Sequence, residues 1–177
     1  MPAIVETDLE TGETFCLSES TAILRYLADS RGLPDHWYPS DVKQRALVDH
    51  YFDWHHNFLR QGAGFLVFRK LFAPRMLGIT YSEEDFKFQE VYLRRSLVMM
   101  ERWLTANKYL CGPEPSIADL SACTELDQTK MLNYDLSKYP KVEAWLHKMI
   151  DEEPKIAKMS APFRKMAQMS LKKQAKL

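Results

Sequence analysis

The first third of the chain alternates short apolar runs with polar turn residues. The runs PAIV at 2–5 and TFCL at 14–17 are β-prone and flank the polar stretch ETDLETGE, a pattern that predicts a β-hairpin. The stretch at 18–32, SESTAILRYLADSRG, then places apolar residues at helical spacing and ends on Gly32, which suits the residue after a helix C-terminus. We therefore predict strand, strand and helix, in that order.

The rest of the chain has helical periodicity. A long amphipathic pattern begins at Ser40 or Asp41. It is expected to stop at Pro74, with Gly62 and Gly64 as bend points inside it.

Further helices are predicted over 82–107, 116–127 and 139–151, followed by a basic tail from 154. Two strands are too few for a stable sheet. We therefore interpret the hairpin and first helix as the second half of a βαβ–ββα unit, and we expect the sequence to begin in the middle of a domain.

Composition and charge exclude several classes of protein. The 177 residues contain 24 Lys and Arg against 24 Asp and Glu, so no global field attracts nucleic acid or an anionic membrane. There is no long apolar run and no signal-peptide pattern, which predicts a soluble intracellular protein. Cys16, Cys111 and Cys123 form no CxxC pair, which argues against a structural zinc and predicts that all three are small core residues.

Four stretches, which follow one another along the chain, carry a more specific pattern. They are PAIV with SES opening the helix AILRYL, WYPSD leading into RALVDHYFDWHHNFLRQGA, LCGPEPSIADLSA, and YPKVEAWLHKM. In the third, Ser116 suits a helix N-cap and Asp119 suits the partner position of a capping box. Together the four stretches resemble the cytosolic glutathione transferases, and the theta class in particular, over nearly the whole chain.

This resemblance implies an α+β fold that is mostly α. Residues 1–33 would be the second half of a thioredoxin-like, glutathione-binding domain. Residues 40–177 would be the all-helical C-terminal domain of the family.

The residues Ser18, Glu19 and Ser20 stand where the second strand meets the helix. Helix capping needs only one of them, and capping stays open as the simpler explanation. The resemblance implies that Ser20, at the positive end of a helix, holds the α-carboxylate of glutathione and that Glu19 pairs with its ammonium. It also implies that Pro2 is a cis-proline that presents the backbone of Met1 to the cysteinyl part.

The activity implied by the resemblance is the conjugation of glutathione to organic electrophiles, and also the reduction of organic hydroperoxides. Glutathione is then a cosubstrate, and neither a metal nor a bound cofactor is needed. Theta-like enzymes activate the thiol with a serine near the start of the first helix of the thioredoxin-like domain. That helix is not in this sequence, so we name no catalytic residue and expect an N-terminally truncated chain that is inactive alone.

The expected partners are glutathione, a small electrophile or hydroperoxide, and a second copy of the chain, with the helix from Asp41 in the homodimer interface. Neither nucleic acid nor membrane is expected. The alternative is a noncatalytic interaction module, like the transferase-like docking parts of translation factors and synthetases. The presence of Glu19 and Ser20 argues against this alternative, whereas the lack of the thiol-activating helix favours it.

Two residues of the long helix, Asn57 and Arg60, lie where theta-like enzymes carry groups that face the substrate or the partner subunit. Both also suit ordinary exposed positions. Asp49, Asp53 and His56 share one helical face at a spacing that suits a metal, although a surface or dimer-facing role is the stronger interpretation.

A set of apolar side chains suits either the lining of an electrophile pocket or the ordinary core: Trp54, Phe58, Phe65, Phe68 and Met99. The last three residues, Ala175, Lys176 and Leu177, resemble an SKL-type peroxisomal address. The expected location is therefore cytoplasmic or peroxisomal.

Overall fold

The computed structural model describes residues 2–174, which form a small two-stranded sheet followed by a helical body. The strands are β1 (Ala3–Thr7) and β2 (Thr14–Ser18). The α-helices are α1 (Ser20–Ser30), α2 (Val42–Asn57), α3 (Phe65–Val67), α4 (Ala73–Met76), α5 (Glu83–Ala106), α6 (Ile117–Asp127), α7 (Pro140–His147) and α8 (Pro154–Gln174). Three π-helical segments (Arg60–Gly64, Phe68–Phe72, Lys148–Glu152) and two 3-10 turns (Asp35–Trp37, Gln128–Leu132) connect them. The predicted α+β, mostly helical fold class is confirmed.

The predicted hairpin is confirmed. β1 and β2 are antiparallel, with Ala3 opposite Ser18 and Thr7 opposite Thr14. The carboxylate of Asp8 accepts hydrogen bonds from the amides of residues 10 and 11 at 2.8 and 2.9 Å, which closes the turn in the way that Asx residues favour. Gly12 then takes the positive φ of 74° that glycine adopts without strain.

The long amphipathic pattern forms several helical pieces. α2 begins after Asp41, whose carboxylate accepts a hydrogen bond from the amide of Gln44 at 2.9 Å, and the first π-helical segment contains both predicted bend glycines. The predicted stop at Pro74 is wrong. Pro74 lies in the first turn of α4, where its lack of an N–H is tolerated, so the helix runs on to Met76.

The core lies between α2, α5, α6 and α7. α5 starts at a capping box formed by Ser82 and Asp85. α6 starts at another, in which Asp119 accepts from the Ser116 amide at 3.0 Å. Burial raises the pKa of the Asp119 carboxyl, and the donors that surround it act in the opposite direction.

Among residues 2–174, none of the helices combines the length and the apolar character needed to cross a bilayer.

The three cysteines differ in their surroundings. Cys123 is buried and Cys111 half-buried, but Cys16 is exposed, so the expectation that all three are core residues is wrong for Cys16. The reason is the sheet itself: of the five residues of β2 only Leu17 is partly buried, because one thin hairpin covers little surface. Burial raises the pKa of the Cys111 and Cys123 thiols to about 12.

We expect a thiol-specific disulfide reagent to react rapidly with a single thiol of the folded chain, that of Cys16, because Cys123 is buried, Cys111 is half-buried, and burial raises the pKa of both of these thiols. All three thiols should react once the protein is unfolded in guanidinium chloride. A Cys16→Ser variant is the control and should show no rapid phase. A second rapid thiol in the folded protein would contradict the raised pKa of the Cys111 and Cys123 thiols.

Candidate functional site

A cavity of about 580 Å³ opens between α1, the first two π-helical segments, α6 and α8. It brings together Ser20, which the resemblance assigned to the glutathione site, and Arg60, which the resemblance made a candidate for the substrate side or the dimer side. The residues that line it are Ser20, Leu24, Arg60, Gly64, Phe65, Phe68, Phe72, Leu120, Ser121, Thr124, Glu125, Gln128, Ile156 and Met159.

The N-terminus of α1 forms the polar end of this cavity. Ser20 is half-buried and is the first residue of the helix, so its amide is among those without an intrahelical partner. Glu19 precedes it with φ 73° and ψ 118° and accepts a backbone hydrogen bond from Ile23 at 2.9 Å. A positive φ at a non-glycine residue is strained and is enriched at functional sites.

No side chain caps α1 at Glu19, so local capping does not account for the polar run at 18–20. Ser18 is instead the last residue of β2 and pairs with Ala3. The amides at the start of α1 therefore remain available to an anion, as the helix dipole favours.

Ion pairs between α1 and α2 fix the position of the N-terminus of α1. Nε of Arg25 lies 2.8 Å from Oδ1 of Asp49, and the same guanidinium stacks over the Phe52 ring at 4.8 Å. A guanidinium of α2, that of Arg45, contacts Asp29 at 3.1 Å. Such contacts between partly exposed groups contribute modest energy but fix the direction in which α1 points at the cavity.

Arg60 stands on the opposite wall, in the first π-helical segment. Its Nε lies 3.1 Å from Oε1 of Glu125 on α6. This contact is an ion pair and not a hydrogen bond, so neither atom has a hydrogen-bond partner among the described residues. π-helical turns are frequent at functional sites, and here the turn places a guanidinium at the cavity surface.

The carboxylate of Glu125 also contacts a histidine of α2, His55, on the side away from Arg60. Oε2 of Glu125 lies 2.5 Å from Nε2 of His55, which is fully buried. The two side chains therefore share one hydrogen bond across the contact between α2 and α6. The close approach of Glu125 also requires Gly64, since a Cβ at that position would lie 2.2 Å from Oε1 of Glu125.

The remaining walls of the cavity are apolar. Phe65, Phe68 and Phe72 come from α3 and the π-helical segment after it, and α8 contributes Ile156 and Met159. α8 is held by Arg164, whose Nη1 lies 2.5 Å from Oδ1 of Asp151. This lining suits the apolar body of a small organic molecule.

Other residues singled out in the sequence lie elsewhere. Asn57 does not line the cavity; its side chain donates to the carbonyl of Asp53 at 2.9 Å. Asp49 accepts from Arg25 and from the Tyr38 hydroxyl. Over residues 2–174, no group of three His, Cys, Asp or Glu side chains is arranged to hold a metal ion.

The apolar set divides into two groups. Phe65 and Phe68 line the cavity. Trp54, Phe58 and Met99 instead line a separate surface depression, next to Arg95 and the exposed Val98.

Met1, and with it the Met1–Pro2 peptide bond, lies outside the described residues, as do Ala175, Lys176 and Leu177. The roles predicted for these residues therefore stay predictions.

Sequence reasoning missed Glu125 and His55. The two residues are 70 positions apart, and no local pattern joins them. The available signal was that each is a polar residue on the apolar face of a helix, where burial requires a partner.

Comparison with known proteins identifies the family of this chain. Residues 48–153 match the family described as glutathione S-transferase, C-terminal domain. The chain is 41% identical over 135 residues to glutathione S-transferase theta-1 of Gallus gallus, a match that covers 74% of this chain and 51% of that protein. It is 39% identical over 155 residues to glutathione S-transferase T1 of Arabidopsis thaliana, covering 82% and 60% of the two chains.

A solved structure supports the same assignment. A human theta-class glutathione transferase, in complex with the glutathione conjugate of 1-menaphthyl sulfate, has a TM-score of 0.78 and 29% identity, covering 90% of this chain and 67% of that one. This chain therefore belongs to the glutathione S-transferase family and is theta-class-like. It spans about half the length of the chicken relative and 60% of the Arabidopsis one.

Proposed function

We propose that this chain belongs to a theta-like glutathione transferase, in which the N-terminus of α1 binds glutathione and the adjoining apolar cavity accepts an organic electrophile. The observation that carries the proposal is that Ser20 and Arg60, from elements 40 positions apart in sequence, line one cavity with aromatic walls. Membership of the family supports it.

The γ-glutamyl end of glutathione carries an ammonium and a carboxylate, so its site must offer both kinds of charge. Ser20 offers an amide and a hydroxyl at the positive end of α1. Glu19 offers a carboxylate for the ammonium. Met1 and Pro2 complete the proposed glutathione site.

The proposed reaction is attack of the glutathione sulfur on an electrophilic carbon. A carbon–sulfur bond forms, and the leaving group departs with its bonding electron pair. With an organic hydroperoxide, the thiolate would attack a peroxide oxygen, and a second glutathione would complete reduction to the alcohol, water and glutathione disulfide. We assign no residue of this chain to the thiol proton, so the proposal for this chain concerns binding and orientation.

The assembly and location are further parts of the proposal. We place the start of α2 in a homodimer interface, in line with the exposure of Val42 and Leu47. The sequence ending in Ala175, Lys176 and Leu177 favours a peroxisomal or cytoplasmic location. Asn57 stays a candidate for the dimer side.

Ser20→Ala and Glu19→Ala are each expected to weaken glutathione binding by about tenfold, because each removes a charge-assisted contact. Isothermal titration calorimetry of the full chain with glutathione measures this loss. The dipeptide Cys-Gly lacks the γ-glutamyl end, so its affinity should not change in either variant.

Ser18→Ala is the matched control, since Ser18 is adjacent in sequence but ends β2 and pairs with Ala3. It should bind glutathione as the unmodified chain does. No binding of glutathione by the unmodified chain would contradict the proposal and favour a noncatalytic docking module, which has no need of this site.

A further inference from the structure

The last helix, α8, belongs to a segment whose positive charge is concealed by the charge balance of the whole chain. Residues 154–177 contain seven Lys and Arg and no Asp or Glu. The zero net charge predicted no attraction to an anionic membrane, but a local excess of one sign attracts a charged partner whatever the total. The distribution of charge around α8 therefore decides what this helix attracts.

One side of α8 packs against the body of the protein. Ile156 and Ser160 are buried, and Arg164 contacts Asp127 and Asp151. The α8 residues of this set lie four positions apart, on one face of the helix. That face packs against the second 3-10 turn and the third π-helical segment.

Apolar side chains form a stripe on the exposed part of α8. Met159, Phe163 and Met166 are spaced at i, i+4 and i+7 and are 67%, 47% and 43% exposed. Met169, which is 64% exposed, continues this apolar surface toward the end of the helix. Single exposed apolar residues are ordinary, but a contiguous set marks an interaction surface.

Exposed lysines lie next to this stripe, on the side of α8 opposite to the buried face. They are Lys155, Lys158 and Lys165. Arg164 pairs with carboxylates, whereas these three lysines form no ion pair with any described residue. The exposed side of α8 thus combines free positive charges with an apolar stripe.

This combination fits the surface of an anionic lipid membrane. The ammonium groups reach the lipid phosphates and carboxylates, and the methionine and phenylalanine side chains enter the boundary between headgroups and acyl chains. A protein groove that receives an amphipathic helix takes its most apolar face, and in α8 that face includes the buried Ile156. A membrane needs only the side that is already exposed.

We propose that the exposed side of α8 docks on an anionic lipid membrane. The lysines supply the electrostatic attraction, and the stripe formed by Met159, Phe163 and Met166 supplies the apolar contact. This docking reverses the expectation that no membrane takes part, and it does not depend on the proposed glutathione site.

The test measures binding of the full chain, by sedimentation, to vesicles of phosphatidylcholine alone and to vesicles of phosphatidylcholine mixed with phosphatidylserine. At about 0.1 M salt the mixed vesicles should bind at least about a hundredfold more tightly. At about 1 M salt, where the Debye length is about 3 Å, most of this preference should be lost. Equal binding to the two kinds of vesicle, or a preference that salt does not change, would overturn the proposal.

The combined variant Lys155→Gln, Lys158→Gln and Lys165→Gln should lose about a hundredfold in affinity for the mixed vesicles, or about fivefold for each lysine. If this variant does not fold, as judged by circular dichroism, Lys158→Gln alone decides, with an expected loss of about fivefold. No loss in the variant that decides would show that α8 is not the docking surface.

The matched control removes the same charge from exposed lysines outside α8, in the variant Lys87→Gln, Lys108→Gln and Lys138→Gln. Its affinity for the mixed vesicles should stay within about threefold of the unmodified chain. A loss as large as that of the α8 variant would mean that total charge alone is responsible, and the proposal would be wrong.

The variant Phe163→Ser and Met166→Ser keeps the charge of α8 and should bind the mixed vesicles about tenfold more weakly. An unchanged affinity would contradict the apolar contact. Neither residue lines the candidate cavity, and glutathione is absent from every arm, so the result is separate from any failure of glutathione binding.

Two further measurements identify a different occupant of this surface. Calcium-loaded calmodulin is the probe for an acidic protein, and sedimentation velocity detects a second copy of the chain. Binding to calmodulin that is tighter than to the mixed vesicles and is lost in the α8 lysine variant would overturn the proposal. A dimer that the Phe163→Ser and Met166→Ser variant dissociates would overturn it as well.

Discussion

Replacing Asp119 with alanine is expected to lower the free energy of unfolding by about 4 kcal/mol. The carboxylate is fully buried and accepts hydrogen bonds at 3.0 Å from the amides of Leu110 and Ser116 and from Nε1 of Trp145. Alanine would leave these three N–H donors without a partner, as well as the Ser116 hydroxyl, which donates to Asp119 at 3.0 Å. Each such loss in a buried site costs about 1–3 kcal/mol. Urea denaturation followed by circular dichroism measures the change.

The chain contains a matched control for this prediction. Asp85 forms the same kind of capping box with Ser82 at the start of α5, but it is exposed. Asp85→Ala should therefore cost about 1 kcal/mol, the usual effect of losing a helix cap at the surface. Equal losses in the two variants would show that Asp119 acts as a helix cap alone and that its contacts to Leu110 and Trp145 contribute nothing.

The contacts of Asp119 also affect the candidate site. Asp119 joins the start of α6 to the loop before it and to α7, and α6 carries Leu120, Thr124 and Glu125 to the cavity wall. A loss of about 4 kcal/mol is a large part of the stability of a typical domain. The site therefore depends on a carboxylate that does not touch it.

Sequence patterns predicted the elements whose causes are local. The hairpin follows from two β-prone runs and the turn at Asp8 and Gly12, and the starts of α5 and α6 follow from Ser82 and Ser116. In each case residues within a few positions of one another make the decisive contacts. Local hydrogen bonds of this kind are visible in the order of residue types.

The features that the sequence did not predict depend on contacts between distant segments. His55 and Glu125 meet only because α2 and α6 pack together. The exposure of Cys16 depends on how little surface covers β2, and the position of Pro74 depends on where the preceding π-helical turn ends. No arrangement of neighbours in the sequence specifies such packing.

The role of Gly62 also depends on a contact with a distant segment that the sequence did not predict. The sequence indicated a bend at this glycine. The structure adds that it allows a close approach between the first π-helical segment and α5: a Cβ at residue 62 would lie 2.4 Å from the backbone nitrogen of Leu93 and 2.5 Å from its Cα.

Gly62→Ala is expected to destabilise the fold by about 3 kcal/mol. In a helix interior alanine is about 1 kcal/mol more favourable than glycine, but that gain is smaller than the cost of the steric clash. The atoms it would meet are main-chain atoms of α5, so relief requires the two helices to separate, and Leu93 and Leu97 are fully buried in the core that this would open. Urea denaturation measures the loss, which should appear as a lower midpoint with an unchanged slope.

Gly112→Ala is the matched control, because the nearest atom to a Cβ there is Oε1 of Gln44 at 3.4 Å, an ordinary contact with a flexible side chain. Its stability should stay within about 0.5 kcal/mol of the unmodified chain. If Gly62→Ala changed the free energy of unfolding as little as Gly112→Ala, the result would contradict the close packing of the first π-helical segment on α5. Arg60 belongs to that segment, so the position of its guanidinium in the cavity depends on the same contact.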